Sequence, residues 1–152
     1  MKKNKKGFTL IELLAVIVIL GIIITIVVSN VVKYIGKSRA GAFKDAYGVF
    51  VKNIQTKIMA DQINSTGSLT ECTTAATCKT TYPDVYDSSN MDITITKNGT
   101  VYDVKIKGVG NFASVNFSDS EYTSYCPVTD KTNGSCSSNV INFQMDANGN
   151  VL

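Results

Sequence analysis

The stretch Gly7–Val32, GFTLIELLAVIVILGIIITIVVSNVV, decides how the chain is to be read. From Leu13 to Val32 it runs twenty residues without a charge, broken only by Gly21, Thr25, Ser29 and Asn30. Twenty helical residues rise about 30 Å, the thickness of the hydrocarbon core of a bilayer. One acid, Glu12, stands inside the apolar region. A carboxylate there costs roughly 2.5–3.5 kcal/mol on insertion scales, so such a residue is read as functional.

Working toward the N-terminus, Lys2, Lys3, Lys5 and Lys6 precede Gly7. The whole chain has 15 Lys+Arg and 12 Asp+Glu; without those four lysines, 11 basic residues face 12 acidic ones. The basic balance therefore belongs to a short tag and not to a nucleic-acid-binding face, and no specific nucleic-acid partner is expected. Lysines ahead of an apolar helix place the C-terminal part outside the cytoplasm. A cleaved secretory signal would be shorter and would end in an A-x-A-like site, which Val27–Val32 does not offer.

Toward the C-terminus the helical pattern outlasts the apolar run. Phe43, Tyr47, Phe50, Ile54 and Ile58 recur at spacings of 4, 3, 4 and 4, one face of a helix. The reading is one helix from Phe8 to Ile63, stopped by Asn64-Ser65-Thr66-Gly67. Its aromatic stripe is core packing. Gly21, Gly36, Gly41 and Gly48 each weaken it by about 1 kcal/mol relative to Ala. Lys33, Lys37 and Arg39 form a solvated collar beyond the membrane, with binding to DNA or anionic lipid as the alternative. Residues 66–90, rich in Thr, Ser and Asp, read as a loop. Met91–Lys97 alternates with period two, and Asn98-Gly99 signals a hairpin into Thr100–Lys107. Phe112–Phe117 is expected as a third strand and Val140–Met145 as a fourth. A long helix followed by an antiparallel sheet is an α+β arrangement.

Four cysteines, Cys72, Cys78, Cys126 and Cys136, lie outside the apolar helix. An even count in an exported domain reads as disulfides, with three connectivities open. Zinc is the rival reading, but the spacings are not those of C-x2-C knuckles. The chain has no His, which removes the commonest catalytic base and metal ligand. Asp146, Asn148 and Asn150 around Gly149 hold part of a calcium-loop pattern without its second acid or terminal Glu; the plainer reading is a turn. No nucleophile elbow, phosphate loop or telling acid pair appears. Neither an enzyme nor a cofactor is expected.

Lys5-Lys6-Gly7-Phe8-Thr9-Leu10-Ile11-Glu12-Leu13 resembles the class III signal of type IV prepilins and their pseudopilin relatives. The resemblance implies cleavage after Gly7 by a membrane prepilin peptidase, N-methylation of the new N-terminal Phe8, and a role for Glu12 in assembly. It implies a type IV pilin-like fold, a long helix whose second half packs on a small antiparallel sheet. The divisions would be a leader 1–7, a transmembrane or filament-core helix 8–32, an amphipathic half 33–65 and a disulfide-bonded head 66–152. A Cys126–Cys136 bond resembles the late disulfide loop of many pilins, with Cys72–Cys78 as a second, tighter loop. Related chains commonly carry a Pro where Ser29 stands. Without it the choice lies between local melting around Gly21, Thr25 and Ser29 and an unbroken helix. The implied partners are copies of the same chain, the peptidase, an assembly ATPase and its membrane platform. The implied location is the cytoplasmic membrane as a precursor, then an extracellular filament. A pseudopilin of type II secretion or a competence pilus shares the signal. A membrane-anchored binding domain that never polymerises is the alternative of another kind.

Overall fold

The computed structural model describes residues 7–63, 67–128 and 133–152. The leader lysines at 2, 3, 5 and 6 and the helix stop at 64–66 lie outside these. Contacts divide the chain into two units, Met1–Ile35 and Gly36–Leu152. A single helix, α1 (Leu10–Gln62, 53 residues), contributes to both.

In the first unit every described side chain from Gly7 to Ile35 is exposed. Helical bonding passes unbroken through Thr25 and Ser29. Thr25 Oγ1 donates to Ile22 O at 2.7 Å and Ser29 Oγ to Ile26 O at 3.2 Å. Both hydroxyls thus spend their hydrogen on the helix's own carbonyls, which is how such residues are satisfied without water.

In the second unit α1 buries Ala40, Phe43, Phe50, Ile54 and Ile58 against a four-stranded antiparallel sheet of order β1-β2-β4-β3. The strands are β1 (Met91–Asn98), β2 (Val101–Gly108), β3 (Ser135–Ser137) and β4 (Val140–Met145). Alternation decides which face turns inward: Met91, Ile93 and Ile95 from β1, Tyr102, Val104 and Ile106 from β2, and Ile141, Phe143 and Met145 from β4. Phe143 is the hinge of this packing. Its ring meets Tyr47 edge-on at 5.0 Å and Phe50 at 6.5 Å. The helix, the hairpin β1–β2 and strand β4 thus follow the sequence expectation, and the arrangement is α+β.

Four local readings are corrected. Phe112–Phe117 is not a strand. Gly110–Phe112 forms a 3-10 turn with Gly110 at φ +50°, and the chain curls so that Phe112 and Phe117 both stack on Phe43, at 4.9 and 5.5 Å. Stacking two rings on one buried helical residue outweighs a ladder that the spacing 112, 115, 117 could not have kept in phase. The loop 66–90 contains a helix, α2 (Ala75–Thr81), started by a reciprocal cap between Thr74 and Thr77. The polar segment around Cys136 supplies the short edge strand β3. The first hairpin also turns one residue later than Asn98-Gly99 suggested. Asn98 pairs with Val101, so Gly99 at φ +66° is the first loop residue, the II′ pattern.

Close approach also bears on Gly36 and Gly67. A Cβ on Gly67 would run into backbone atoms of α1, Gln62 N and Ile58 O, whereas one on Gly36 would press on the tip of the Tyr122 side chain. Gly36 leaves room for an aromatic side chain brought in by the late loop, and Gly67 packs against the backbone of the last turn of α1.

Candidate functional site

The N-terminal site is built by Gly7, Phe8, Thr9 and Glu12. Gly7–Thr9 precede the helix, and Phe8 is 87% exposed. Thr9 is the residue immediately before α1. Its N–H and its Oγ1–H both donate to Glu12 Oε2 at 2.8 Å, and Glu12 N–H donates back to Thr9 Oγ1 at 3.3 Å. This is a capping box: two of the four N–H groups that a helix start leaves unpaired are satisfied reciprocally. Glu12 therefore has a task within its own chain. The sequence carried the signal, Thr9-x-x-Glu12 ahead of an apolar run, but the expectation of a role for Glu12 in assembly passed over it. Both of the hydrogen bonds that Glu12 accepts fall on Oε2; Oε1 accepts none among the described residues.

The helix behind this start is long and apolar enough to cross a membrane, and none of that segment is buried. It leaves an array such as Leu10, Ile11, Ile17, Ile22 and Ile26 in the open, each at least 58% exposed. Free in water such a surface is a strong driver of association.

The head is closed by covalent bonds. Cys72 is joined to Cys78 and Cys126 to Cys136. The first pins α2 beside β1, where Cys72 exchanges backbone bonds with Ile95 at 2.8 and 2.7 Å. The second ties β3 to the loop that carries Tyr122 and Tyr125 onto α1 at Gly36 and Gly41. Closing a ring of about eleven residues contributes close to 3 kcal/mol by loop-entropy reasoning. Replacing Cys126 and Cys136 together by Ser is thus expected to lower head stability by about that amount. Hydrogen exchange should rise more at Val140–Met145 than along α1; equal rises in both would show that the bond does not hold this edge in particular.

At the C-terminus Asp146 gathers its neighbours. Its Oδ1 accepts from Asn148 N–H at 2.8 Å and Asn150 N–H at 2.9 Å, and its Oδ2 from Asn150 Nδ2 at 2.8 Å. Partial burial pushes this carboxyl up, but the hydrogen bonds from Asn150, Asn148 and Gly149 outweigh it and hold the group below its ordinary range. Asn148 turns away to accept from Gln62 Nε2 at 3.3 Å. The structure thus brings Asp146 and Asn150 together, sends Asn148 toward α1, and spends the Asp146 oxygens on closing a turn over Gly149, which sits at φ +80°.

Residues 2–28 match the model for the prokaryotic N-terminal methylation motif. Neither a curated protein nor a solved structure matches the chain. The matched segment begins in the lysine tag, contains the Gly7–Phe8 junction and the Thr9–Glu12 box, and ends within the exposed helix. The motif is that of pilin-like and pseudopilin precursors and indicates a structural protein, and the apolar N-terminal helix fits a membrane-anchored precursor. The chain thus carries a prepilin-type N-terminal methylation motif, set ahead of a disulfide-bonded α+β head.

Proposed function

We propose that this chain is a structural subunit of a type IV pilus or a related filament. It enters the membrane as a precursor, is cleaved after Gly7 by a prepilin peptidase, is methylated on Phe8, and polymerises through α1 with its head outside. The observation that carries the reading is the apolar first unit of α1, fully exposed and preceded by the methylation motif. A surface of that kind needs either lipid or other helices around it, and a filament core supplies the second after the membrane has supplied the first. An assembly ATPase and its membrane platform would drive the transfer.

In this reading the segments keep the divisions 1–7, 8–32, 33–65 and 66–152. Cleavage frees an α-amine on Phe8, which titrates near 7.7–8.0 in peptides and is mostly charged at pH 7. Glu12 holds its own helix start through Oε2 and offers Oε1 to the Phe8 amine of a staggered neighbour. Buried polar pairs are well attested as devices that select register.

Protein recovered from sheared filaments is expected to begin at Phe8 with one added methyl in its N-terminal mass. A bulky residue at position 7 should leave the precursor uncut in the membrane. Filament protein that still carries Met1 would overturn the reading. A pseudopilin role in secretion or DNA uptake shares every feature named here, and filament length separates the two.

A further inference from the structure

The open face of α1 in the head has flanks of opposite charge. On one side Asn53, Thr56 and Ala60 form, with the loop Pro83–Val85, a groove of about 350 Å³. Val49 and Asp87 extend it. The groove wall is held in place. Asn53 Nδ2 donates to Val85 O at 3.1 Å, and Asp87 accepts from Ser89 N–H at 2.9 Å and from Asn90 Nδ2 at 2.6 Å. Asp84 and Asp87 are exposed on this wall. Lys57 lines the groove too, but it is paired with Asp61 at 3.6 Å. The charge left over on this side is therefore acidic.

On the other side Lys44 and Lys52 stand two turns apart along α1 and border a second groove with Gly48 and Pro127. Asp45 lies between them, so this flank has a net charge of +1. At Gly48 nothing stands within 4 Å of where a Cβ would be, which leaves the floor between the lysines open. Val49 lines both grooves, is 54% exposed, and forms the ridge that separates them.

We infer that this face is a contact between copies of the chain: the Val49 ridge with its Lys44 and Lys52 flank seats against the Asp84–Asp87 groove of the next subunit, an inference that rests on the polymerisation proposed above. Polymerisation requires the ridge and the groove of one copy to serve different neighbours, which makes the contact head-to-tail. A head-to-tail contact whose rotation does not close propagates as an open helix. The apolar ridge is the part that loses water, while the charges at the rim set partner and register.

The test uses filaments sheared from cells and a zero-length carbodiimide cross-linker, with the Lys57–Asp61 pair as an internal control for reagent access. Peptides from the covalent dimer band are expected to join Lys44 or Lys52 to Asp84 or Asp87. In parallel, Lys44→Glu with Lys52→Glu should lower the ratio of filament to membrane pool about tenfold, because like charges then face each other. Adding Asp84→Lys should restore most of that loss, a rescue that a misfolded head could not show. Dimer bands that join only other residues, or reversal without rescue, would overturn the contact while leaving polymerisation standing. Absence of filaments from the unaltered chain would instead overturn the proposed function, and this contact with it.

Discussion

Replacing Glu12 by Leu is expected to leave membrane insertion at least as efficient and cleavage after Gly7 largely intact, while filament incorporation falls at least a hundredfold. Insertion improves because a charge has left the apolar segment. Assembly fails because the incoming subunit brings a Phe8 amine that no carboxylate meets. Removing one member of a buried pair costs about 3–5 kcal/mol, and each 1.4 kcal/mol is about tenfold in an equilibrium. The capping box adds a second loss, since Glu12 also satisfies the Thr9 N–H. Loss of a cap costs about 0.5–2 kcal/mol, so the charge dominates. Glu12→Gln separates the two roles. Gln keeps the reach and the acceptor that the box needs but not the charge. Filament yield relative to the membrane pool should fall nearly as far with Gln as with Leu, and Asp should be intermediate because its carboxylate reaches less far. If the Gln variant assembles normally, the carboxylate serves the cap and not the neighbour.

Phe143→Ala should destabilise the head more than any other single truncation in the sheet. The ring is 2% exposed and is the one that Tyr47 and Phe50 of α1 both approach. Deleting a buried Phe costs about 3–5 kcal/mol, from lost transfer and from the cavity left behind. For a folding unit of this size that corresponds to a fall in Tm of about 10–20 °C. Near-ultraviolet circular dichroism of the full chain in detergent micelles would follow it through the tyrosines. Phe112→Ala is the control. That ring also stacks on α1, at Phe43, but it is only partly buried and should cost clearly less. Equal losses in the two variants would show that burial, and not ring contact with the helix, has been misjudged as the deciding quantity.

How far the fold was legible varied with the range of the interactions that make it. The helix from Leu10 to Gln62 could be read within two residues at its start and one at its end, because periodicity and the absence of Pro act within a few residues. Strands β1, β2 and β4 were legible for the same reason: their inward residues alternate without a break. The methylation motif was legible as a local pattern, and the Thr9–Glu12 box was present in that pattern although its meaning was read differently.

What escaped the sequence lies where distant residues decide. Phe112–Phe117 has the composition of a strand, yet Phe43, some seventy residues earlier, draws two of its rings together and bends it. Strand β3 has only three residues and little β preference; pairing with β4 and the bond from Cys136 to Cys126 make it a strand. The short helix α2 stands because its cap is reinforced by a buried cystine against β1. The opposed charge flanks on α1 were invisible too, since Asp84 comes beside Asn53 only after the loop has folded back. By itself the sequence determined one amphipathic helix with an apolar start, three alternating strands and an N-terminal methylation motif, all set by neighbours a few positions apart. Only tertiary structure decided the edge strand, the ring cluster on Phe43 and the groove beside α1, because each depends on contacts whose loop-closure cost is recovered only when the whole head packs.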